Sequence, residues 1–353
     1  MRAIRALKPN AKFIGIGGNK MIAMGLKSLE NIDKLAIMGF VEVIKYLFFF
    51  RKLTYKVLEE INSAQPIHII LIDYPGFNLH LARKIKTRFD IPITYYISPQ
   101  LWAWKEKRIE IIRKYVDQML VIFPFEENWY KERGVQAKFV GHPIFDEWTP
   151  TSKHDLCTIL RLSSDKPILA LYPGSRKQEL NRHLSLCIKV AEKLRNKNPQ
   201  IQFILGLAHG LSPGHFSIPD WIQIEIKHPQ KALECADLAL VASGSATLEA
   251  AVFGTPMIII YKMAVLSWWL SKLLVKTDYA GMVNIIAGKK IMPEFIQNQA
   301  IAESITNEVF EIINNRERWK VMKSELLLVK QKLLDSGASQ RAAKHILSFV
   351  ESK

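Results

Sequence analysis

Short apolar runs alternate with amphipathic stretches along this chain, and the alternation restricts the fold more than any other feature of the sequence. The first runs have the length of strands and lie at residues 12–16, 68–72, 93–97 and 119–123. Between them, residues 79–89 and 105–115 carry apolar side chains at helical spacing and basic side chains on the outer face. This order predicts a parallel sheet built from β-α-β units.

A second cycle begins after a break in the pattern. Residues 147–153 have the composition of a linker, and further apolar runs follow at 168–172, 201–207, 221–226, 238–242 and 257–261. A length of 353 residues fits two domains of ordinary size. We therefore predict two doubly wound α/β domains, 1–148 and 154–335, with the carboxyl ends of their strands facing a cleft.

The front of the first domain departs from this pattern. Residues 2–8 predict a short helix, whereas a doubly wound domain ordinarily opens with a strand and a glycine-rich turn. Two explanations stay open. Either the first strand is absent, or Met1 is an internal methionine of a longer gene product.

The charge balance predicts an anionic partner. The chain has 49 Lys and Arg against 33 Asp and Glu, a formal net charge of +16. Nucleic acid, a phosphorylated substrate and an acidic membrane surface all suit such an excess. Because the basic residues are spread over many predicted helices and no nucleic-acid-binding motif occurs, we expect no nucleic-acid partner.

Neither a metal nor a cofactor is expected. The three cysteines, Cys157, Cys187 and Cys235, form no Cys-x-x-Cys pair, and no Asp-x-Asp pair occurs. A small and odd number of cysteines is typical of a reducing compartment, which favours a cytoplasmic protein. No stretch reads as a signal peptide or a membrane span, so a soluble or peripheral protein is expected.

Two strand-to-helix loops in the second domain are candidate phosphate sites. Pro173-Gly174-Ser175-Arg176 precedes a helix that begins near Glu179, and Ser243-Gly244-Ser245-Ala246-Thr247-Leu248-Glu249 opens another helix. Glycine and small residues let a diphosphate approach helix amides, and arginine binds phosphate oxygens in pairs. The alternative is an ordinary turn with a solvated Arg176 in the first loop and a simple helix cap in the second.

Further polar residues follow strands or lie near the domain junction. Asp73 ends a predicted strand, where a general base would point into the cleft, although it could equally cap the next helix. His142 lies at the domain junction, and Glu294 could bind sugar hydroxyls or simply begin a helix. No P-loop and no Gly-x-Ser-x-Gly elbow occurs, which disfavours P-loop phosphoryl transfer and α/β-hydrolase chemistry.

The segment 38–52 is a candidate membrane-docking surface. Phe40, Leu47 and Phe48 share one predicted helical face with Ile44, which accounts for a contact with the core. Phe49 and Phe50 extend the apolar surface beyond that face, and Arg51 and Lys52 flank it. Such a combination suits an anionic membrane or an acyl-chain pocket. A helix buried on both sides is the alternative.

Several motifs, taken in order, resemble those of the lipid-A-disaccharide synthase family. They include Asp73-Tyr74-Pro75-Gly76-Phe77-Asn78, Ser98-Pro99-Gln100-Leu101-Trp102-Ala103-Trp104, Phe123-Pro124-Phe125-Glu126 and Gly141-His142-Pro143. The two loops described above and the segments around Asn284 and Glu294–Gln297 match the family as well. The similarity extends from about residue 4 to residue 350.

The resemblance implies a GT-B fold in which the final helix, 336–353, joins the first domain. It implies an inverting transfer of 2,3-diacylglucosamine from UDP to 2,3-diacylglucosamine 1-phosphate, without a metal, by an enzyme peripheral to the cytoplasmic face of the inner membrane. A homo-oligomer stays open.

The resemblance also assigns roles to residues. Asp73 would be the base, and 38–52 would dock on the membrane. The remaining assignments are grouped by role. Around the uridine diphosphate would lie Ser175, Arg176, Gly244, Ser245, Thr247 and Glu249, with Asn284, Glu294 and Gln297 nearby. The candidates for contact with the sugar substrates are Asn78, Trp102 and His142.

One departure from the family pattern keeps alternatives open. Family members begin with a strand and a Ser-Ala-Gly-Glu-x-Ser-Gly-Asp-like loop, and this chain starts after both. A truncated, inactive paralogue is therefore one alternative. A UDP-sugar epimerase, or a transferase for a soluble acceptor, would keep the same nucleotide loops, and a basic nucleic-acid-binding protein is the non-enzymatic alternative.

Overall fold

The structure is a computed structural model, and it describes residues 1–32, 43–146, 148–208, 210–212, 214, 216–264, 268 and 274–352. For 43–47 it describes the backbone alone. The chain forms two compact units. One is Met1–Asp146 together with Ser336–Lys353, and the other is Glu147–Asp335.

Parallel strands form the framework of the first unit. They are β1 (Phe13–Gly17), β2 (Leu26–Asn31), β3 (Ile69–Ile72), β4 (Ile93–Tyr96), β5 (Gln118–Val121) and β6 (Ala137–Phe139). The last four pair in chain order in one sheet, and β1 pairs with β2 in a separate ladder. All these pairings are parallel, as the alternation of strands and helices predicts.

Helices connect these strands and cover the sheet. They are α1 (Arg2–Leu7), α2 (Asn19–Ala23), α3 (Val43–Ala64), α4 (Pro75–Lys86), α5 (Ile109–Tyr115) and α6 (Pro124–Lys131). The sequence places the start of α4 four residues too late. Proline lacks only an amide hydrogen that the first helical turn does not use, so Pro75 begins the helix instead of preceding it.

A six-stranded parallel sheet forms the centre of the second unit. Its strands are β7 (Ile168–Tyr172), β8 (Gln202–Gly206), β9 (Ile222–Glu225), β10 (Leu238–Ala242), β11 (Met257–Tyr261) and β12 (Glu294–Ile296). The spatial order is β12-β11-β10-β7-β8-β9. Every residue of β10 is buried, because a central parallel strand is covered by helices on both faces.

The helices of the second unit are α7 (Lys153–Leu160), α8 (Lys177–Lys197), α9 (Gln230–Cys235), α10 (Ser245–Phe253), α11 (Met282–Ala287), α12 (Ala302–Asn314) and α13 (Arg316–Lys332). Strand β7 has β8 on one side and β10 on the other, so the strand order reverses at β7. The loops that leave β7 and β10 therefore lie side by side at the carboxyl edge, where open α/β sheets bind ligands.

The C-terminal helix α14 (Ala338–Glu351) packs on the first unit. The carboxylate of Asp146 accepts hydrogen bonds from the amides of Gly337, Ala338 and Ser339, at 2.7, 3.0 and 2.8 Å. These amides begin a helix and have no intrahelical acceptor, so an acid remote in sequence caps them. Ile346 then packs with other buried apolar side chains of this unit.

Candidate active site

The loop after β7 is closed by its own glutamate. Glu179 Oε2 accepts hydrogen bonds from the amides of Ser175 and Arg176, at 2.9 and 3.2 Å. The same carboxylate lies so close to Gly174 that a Cβ there would meet it at 2.6 Å. This is a capping arrangement in which the third helical residue satisfies amides at the helix start. The loop therefore does not offer these amides to an anion, which differs from the prediction.

What this loop presents outward is the side chain of Arg176. Its side chain is 81% exposed, and its Nη1 atom lies 3.4 Å from Glu179 Oε1. An exposed guanidinium held only loosely by one carboxylate can turn towards phosphate oxygens, to which it binds in a planar, two-pronged manner. Ser175 is also exposed.

The loop after β10 is open where the first loop is closed. Gly244 is exposed and has φ +149°, a conformation that only glycine adopts readily. Exposed Ser245 begins α10, and no described side chain caps this helix start, although the amide of Thr247 donates to the carbonyl of Gly244 at 3.2 Å. Thr247 is buried, and its hydroxyl donates to the carbonyl of Gly244 at 2.8 Å. Thr247 therefore shapes the loop from behind, while Gly244 and Ser245 form its outer surface.

Glu249 lies one turn further along α10, near the ring of Tyr172. Burial raises the pKa of the Glu249 carboxyl above its usual range. Burial, and secondarily the charge of Glu249, raises the pKa of the Tyr172 hydroxyl. Within the part of the chain that the structure describes, no side chain or amide donates a hydrogen bond to Glu249. A half-buried acceptor in that condition favours a ligand that brings hydroxyl groups.

Glu294, assisted by Asn284, braces the loop after β10 from behind. Glu294 accepts hydrogen bonds from the amides of Ala280 and Gly281 at 3.0 and 2.9 Å, and from Asn284 Nδ2 at 2.8 Å. The carbonyl of Ala280 in turn accepts the hydroxyl proton of Ser243 at 2.6 Å. Glu294 thus fixes the Ala280–Gly281 segment, and Ala280 in turn fixes Ser243 of the loop after β10.

Asn284 is fully buried, and its amide is saturated. Its Oδ1 atom accepts from the amides of Ile291 and Met292, both at 2.9 Å, and its Nδ2 atom donates to the carbonyl of Met292 and to Glu294. The Gln297 side chain pairs with both backbone groups of Met263, at 3.0 and 3.2 Å. In this structure, the side chains of Asn284 and Gln297 fix the conformation of the backbone segments to which they are hydrogen-bonded.

In the first unit, Asp73 lies in a strained turn at the end of β3. Asp73 and Tyr74 have φ +47° and +46°, which is unfavourable for residues other than glycine. Each such residue costs about 1–3 kcal/mol, and such strain concentrates at functional sites. Asp73 is exposed, which a residue that accepts a proton from a substrate requires.

Two neutral side chains hold the strained turn. Asn78 Nδ2 and the Tyr95 hydroxyl both donate to the carbonyl of Asp73, each at 2.7 Å. Asn78 Nδ2 also lies 3.1 Å from the carbonyl of Ile72. Asn78, a candidate for contact with the sugar substrates, thus braces the turn in this structure. Tyr95 was not predicted to belong to the site, because its position inside a buried strand gives no sign of this role.

Trp102 belongs to a network around a fully buried acid, Glu126. The carboxylate accepts from Ser98 Oγ at 2.7 Å, from Trp102 Nε1 at 3.1 Å and from the amide of Phe123 at 3.1 Å. Burial raises the pKa of Glu126 to about 7, although these hydrogen bonds pull it down. The residue fixes the Ser98–Trp102 loop against α6.

His142 contacts Phe123, whose amide donates to Glu126 in the network just described. Its Nδ1 atom accepts a hydrogen bond from the amide of Ile144 at 3.2 Å, and burial lowers its pKa to about 4. The ring is therefore neutral at physiological pH and carries its proton on Nε2. A series of ring contacts connects it to Trp102. The ring of His142 lies 5.6 Å from that of Phe123, Phe123 stacks on Phe125 at 5.9 Å, and Phe125 meets Trp102 edge to face at 5.1 Å.

The apolar segment 38–52 is turned differently from the prediction. Phe40 lies outside the described residues, as does the side chain of Leu47. Phe48, predicted to face the core, is 69% exposed. Half-buried Phe49 and Phe50 pack on the core instead, because Phe50 continues the buried face formed by Leu53, Leu58 and Ile61. Arg51 and Lys52 are exposed, as predicted for flanking cations.

Metal ligands and membrane-spanning helices can be considered for the described residues. Among them, no group of three or more His, Cys, Asp or Glu is placed to hold a metal ion. No described helix combines the length and the apolar character needed to cross a membrane.

Solved structures that resemble the chain define its fold. The chain matches the calicheamicin glycosyltransferase CalG4 with a TM-score of 0.60 and 13% identity, over 99% of this chain and 93% of that one. It matches the glycotransferase of kitacinnamycin with a TM-score of 0.61 and 12% identity, over 95% and 98%. The UDP-GlcNAc 2-epimerase of Neisseria meningitidis is similar as well, with a TM-score of 0.59, 11% identity and coverages of 97% and 100%. The chain has a GT-B fold, as predicted.

Sequence relationships then identify the family within this class. The family model described as Lipid-A-disaccharide synthetase matches residues 1–348. A lipid-A-disaccharide synthase of Coxiella burnetii (strain CbuG_Q212) is 37% identical over 99% of this chain and 94% of its own length. The one of Syntrophus aciditrophicus (strain SB) is 38% identical over 98% and 91%. The chain belongs to the lipid-A-disaccharide synthetase family and is a glycosyltransferase of lipid A biosynthesis.

The family assignment decides among the alternatives that the sequence left open. The GT-B fold alone suits an epimerase as well as a transferase, since both kinds of enzyme share it. The family match over nearly the whole chain favours the transferase over the epimerase, the inactive paralogue and the nucleic-acid-binding protein.

Proposed function

We propose that this enzyme transfers 2,3-diacylglucosamine from its UDP carrier to the 6-hydroxyl of 2,3-diacylglucosamine 1-phosphate. The products are the β-1,6-linked disaccharide 1-phosphate and UDP. The family of the chain supports this reaction, and so do the names of its relatives. The structural observation that carries the proposal is Asp73, an exposed acid held in a strained turn at the carboxyl end of a parallel strand.

In this mechanism Asp73 takes the proton of the acceptor hydroxyl. As that proton leaves, the hydroxyl oxygen attacks C1 of the donor sugar from the face opposite UDP, and the new glycosidic bond forms with inversion. The bond from C1 to the β-phosphate oxygen breaks, and its electron pair stays on UDP. The hydrogen bonds from Asn78 and Tyr95 end on the backbone carbonyl of Asp73, so they fix the turn without occupying its carboxylate.

The second unit holds the donor in this proposal. The open amides at Gly244 and Ser245 and the positive end of α10 bind the diphosphate, and Arg176 adds its charge as negative charge grows on the leaving UDP. Glu249 accepts hydrogen bonds from the ribose hydroxyls. Arginine and helix amides are sufficient counter-charges in this scheme, so no metal or cofactor enters it.

We also infer that the enzyme works at the cytoplasmic face of the inner membrane as a peripheral protein. Its substrates are anionic lipids, and Phe48 projects into solvent beside Arg51 and Lys52. An apolar side chain flanked by cations suits an anionic bilayer surface. Flotation with phosphatidylglycerol liposomes measures this: Phe48→Ser should reduce the bound fraction, and equal flotation of both proteins would contradict the docking role.

The reaction is tested with the two lipid substrates in detergent, with mass spectrometry for the disaccharide phosphate and UDP. The decisive variant is Asp73→Asn, since asparagine tolerates the left-handed conformation and changes only the basicity. We expect kcat to fall about 10²–10⁴-fold, the usual contribution of a general base, while UDP binding is unchanged. Wild-type kcat in the variant would remove Asp73 from this role.

A further inference from the structure

An apolar groove of about 910 Å³ runs along α3 and α4 of the first unit. Its apolar wall contains Phe50, Tyr55, Leu58 and Phe77. The rings of Phe50 and Phe77 lie 5.5 Å apart, and Leu58 and Phe77 belong to the core. The groove is thus built on packed, ordered side chains, and its volume falls within the range of about 300–1,000 Å³ that small-molecule sites occupy.

The opposite wall of the groove is basic. His80 and Lys84 lie one helical turn apart on α4, and Arg88 follows four residues later. Arg51 of α3 also lines the groove. Partial burial, and then the nearby charges of Lys84 and Arg83, lower the pKa of His80.

No acid neutralises this wall within the described part of the chain. The described residues that line the groove include no Asp or Glu. None of the ion pairs among described residues uses Lys84 or Arg88. A groove with an apolar floor and an unneutralised cationic edge is complementary to an amphiphile that has a hydrocarbon tail and an anionic head.

The groove also adjoins the proposed catalytic residue. Tyr74 lines it, and Tyr74 directly follows Asp73 in the strained turn. The ring of Tyr74 lies 6.2 Å from that of Phe50. An amphiphile bound along this groove therefore lies beside the turn that carries the proposed base.

We propose that this groove holds one acyl chain of the acceptor lipid, with the acceptor phosphate against Lys84 and Arg88. The inference rests on the proposed function for the identity of the lipid. It adds a site and a division of labour: the first unit recognises the acceptor by hydrocarbon and phosphate, separately from the outward-facing Phe48. Each buried methylene should multiply affinity by about four, so acceptors with longer chains should bind much more tightly.

Gly76 allows the groove to be narrowed without disturbing the core. It lines the groove, its φ is not positive, and a Cβ built there meets no heavy atom within 4 Å. Gly76→Leu therefore adds a side chain to the wall. We expect the ratio of kcat/KM for a dodecanoyl acceptor to kcat/KM for a butanoyl acceptor to fall at least tenfold. An unchanged ratio would overturn the proposal.

The cationic edge is tested with charge-matched variants. Lys84→Gln and Arg88→Gln remove lining charges, whereas Arg83→Gln removes an exposed charge from the same helix outside the groove. We expect KM for the acceptor to rise about tenfold in each lining variant and to stay within twofold in Arg83→Gln. Equal effects in all three would show a general electrostatic attraction and would overturn the assigned phosphate position.

A binding experiment separates this inference from the proposed reaction. Monododecyl phosphate, below its micellar concentration, is titrated calorimetrically into the wild-type protein, Gly76→Leu and Lys84→Gln, with monobutyl phosphate as the short-chain control. We expect wild type to bind only the dodecyl compound and both variants to bind it at least tenfold more weakly. Wild-type binding in both variants would refute the groove, whatever the transferase assay shows. An absent disaccharide product with intact dodecyl phosphate binding would refute the reaction and leave the amphiphile site standing.

Discussion

The two strand-to-helix loops of the second unit have similar sequences but different chemistry. In the loop after β7, Glu179 occupies the amides of Ser175 and Arg176. In the loop after β10, Gly244 and Ser245 are exposed at the start of α10, and no described side chain caps the amides there. One loop therefore offers a side-chain cation and the other offers backbone amides. The lesson is that a glycine turn before a helix is an anion site only when no nearby carboxylate has already capped it.

The largest effect on this comparison should come from Arg176→Ala. The first loop then loses its guanidinium donor for the diphosphate, and a hydrogen bond to a charged group is worth about 1.5–3 kcal/mol. We expect the Kd for UDP, measured by calorimetry, to rise about ten- to hundredfold. Arg182→Ala, a change at another exposed arginine on α8, is the control. A variant with wild-type affinity would mean that the first loop does not contribute to donor binding.

The open loop is tested by Gly244→Ala. A Cβ there meets no neighbouring atom, so the substitution acts only through the backbone, which L-residues adopt at a cost of about 1–3 kcal/mol. We expect the loop to shift and UDP affinity to fall about tenfold, with little change in Tm. Normal affinity together with a normal Tm would show that this backbone conformation is not needed for the diphosphate.

The capped arrangement recurs, fully buried, at Glu126 in the first unit, and there it should be sensitive to pH. Because burial raises the pKa of Glu126 from its usual value to about 7, the folded state binds a proton that the unfolded state releases. Stability from this group is present below about pH 4.5 and is lost as the pH rises through 7. The Glu126→Gln variant should not lose this stability as the pH rises. The Tm of the variant minus the Tm of the wild type should therefore increase between pH 5 and pH 8. A constant difference in Tm would contradict the raised pKa.

The smallest effect is expected for Glu179→Gln. Glutamine still places one oxygen near the amides of Ser175 and Arg176, so the helix cap is weakened rather than lost, by less than about 1 kcal/mol. We expect UDP affinity to change less than about threefold. A gain in affinity above tenfold would show that the capped amides become phosphate ligands once Glu179 is neutral, and the contrast between the two loops would then be wrong.

Much of the fold could be predicted from the sequence, because parallel strands and their helices leave a local pattern. The runs at 168–172 and 238–242 became β7 and β10 with those same bounds. The family motifs predicted the GT-B class. The orientation of α3 could not be predicted in this way. Phe48, Phe49 and Phe50 are consecutive, and which of them faces the core depends on how the helix is rotated on the sheet.

The candidate site shows the same division. Asp73, Arg176 and Gly244 stand out in the sequence because they follow strands, and their roles as base and nucleotide ligands stay predictions. Tyr95 gave no signal, since a tyrosine in a buried strand is ordinary until its hydroxyl is seen on the carbonyl of Asp73. The intramolecular partners of Glu294 could not be predicted from the sequence, and its role near the nucleotide stays a prediction. Its partners, Ala280 and Gly281, lie thirteen or more residues away in sequence.

By itself, the sequence determined the order of strands and helices, the family, and which loops follow the strand ends, because hydrophobic periodicity and short motifs are local properties. Only the tertiary structure decided which amides a carboxylate had already taken, which phenylalanine faces solvent, and that a basic edge and an apolar floor form one groove beside Asp73. Hydrogen bonds and burial depend on distances of a few ångströms between residues far apart in the chain, and those distances exist only once the helices have packed on their sheets.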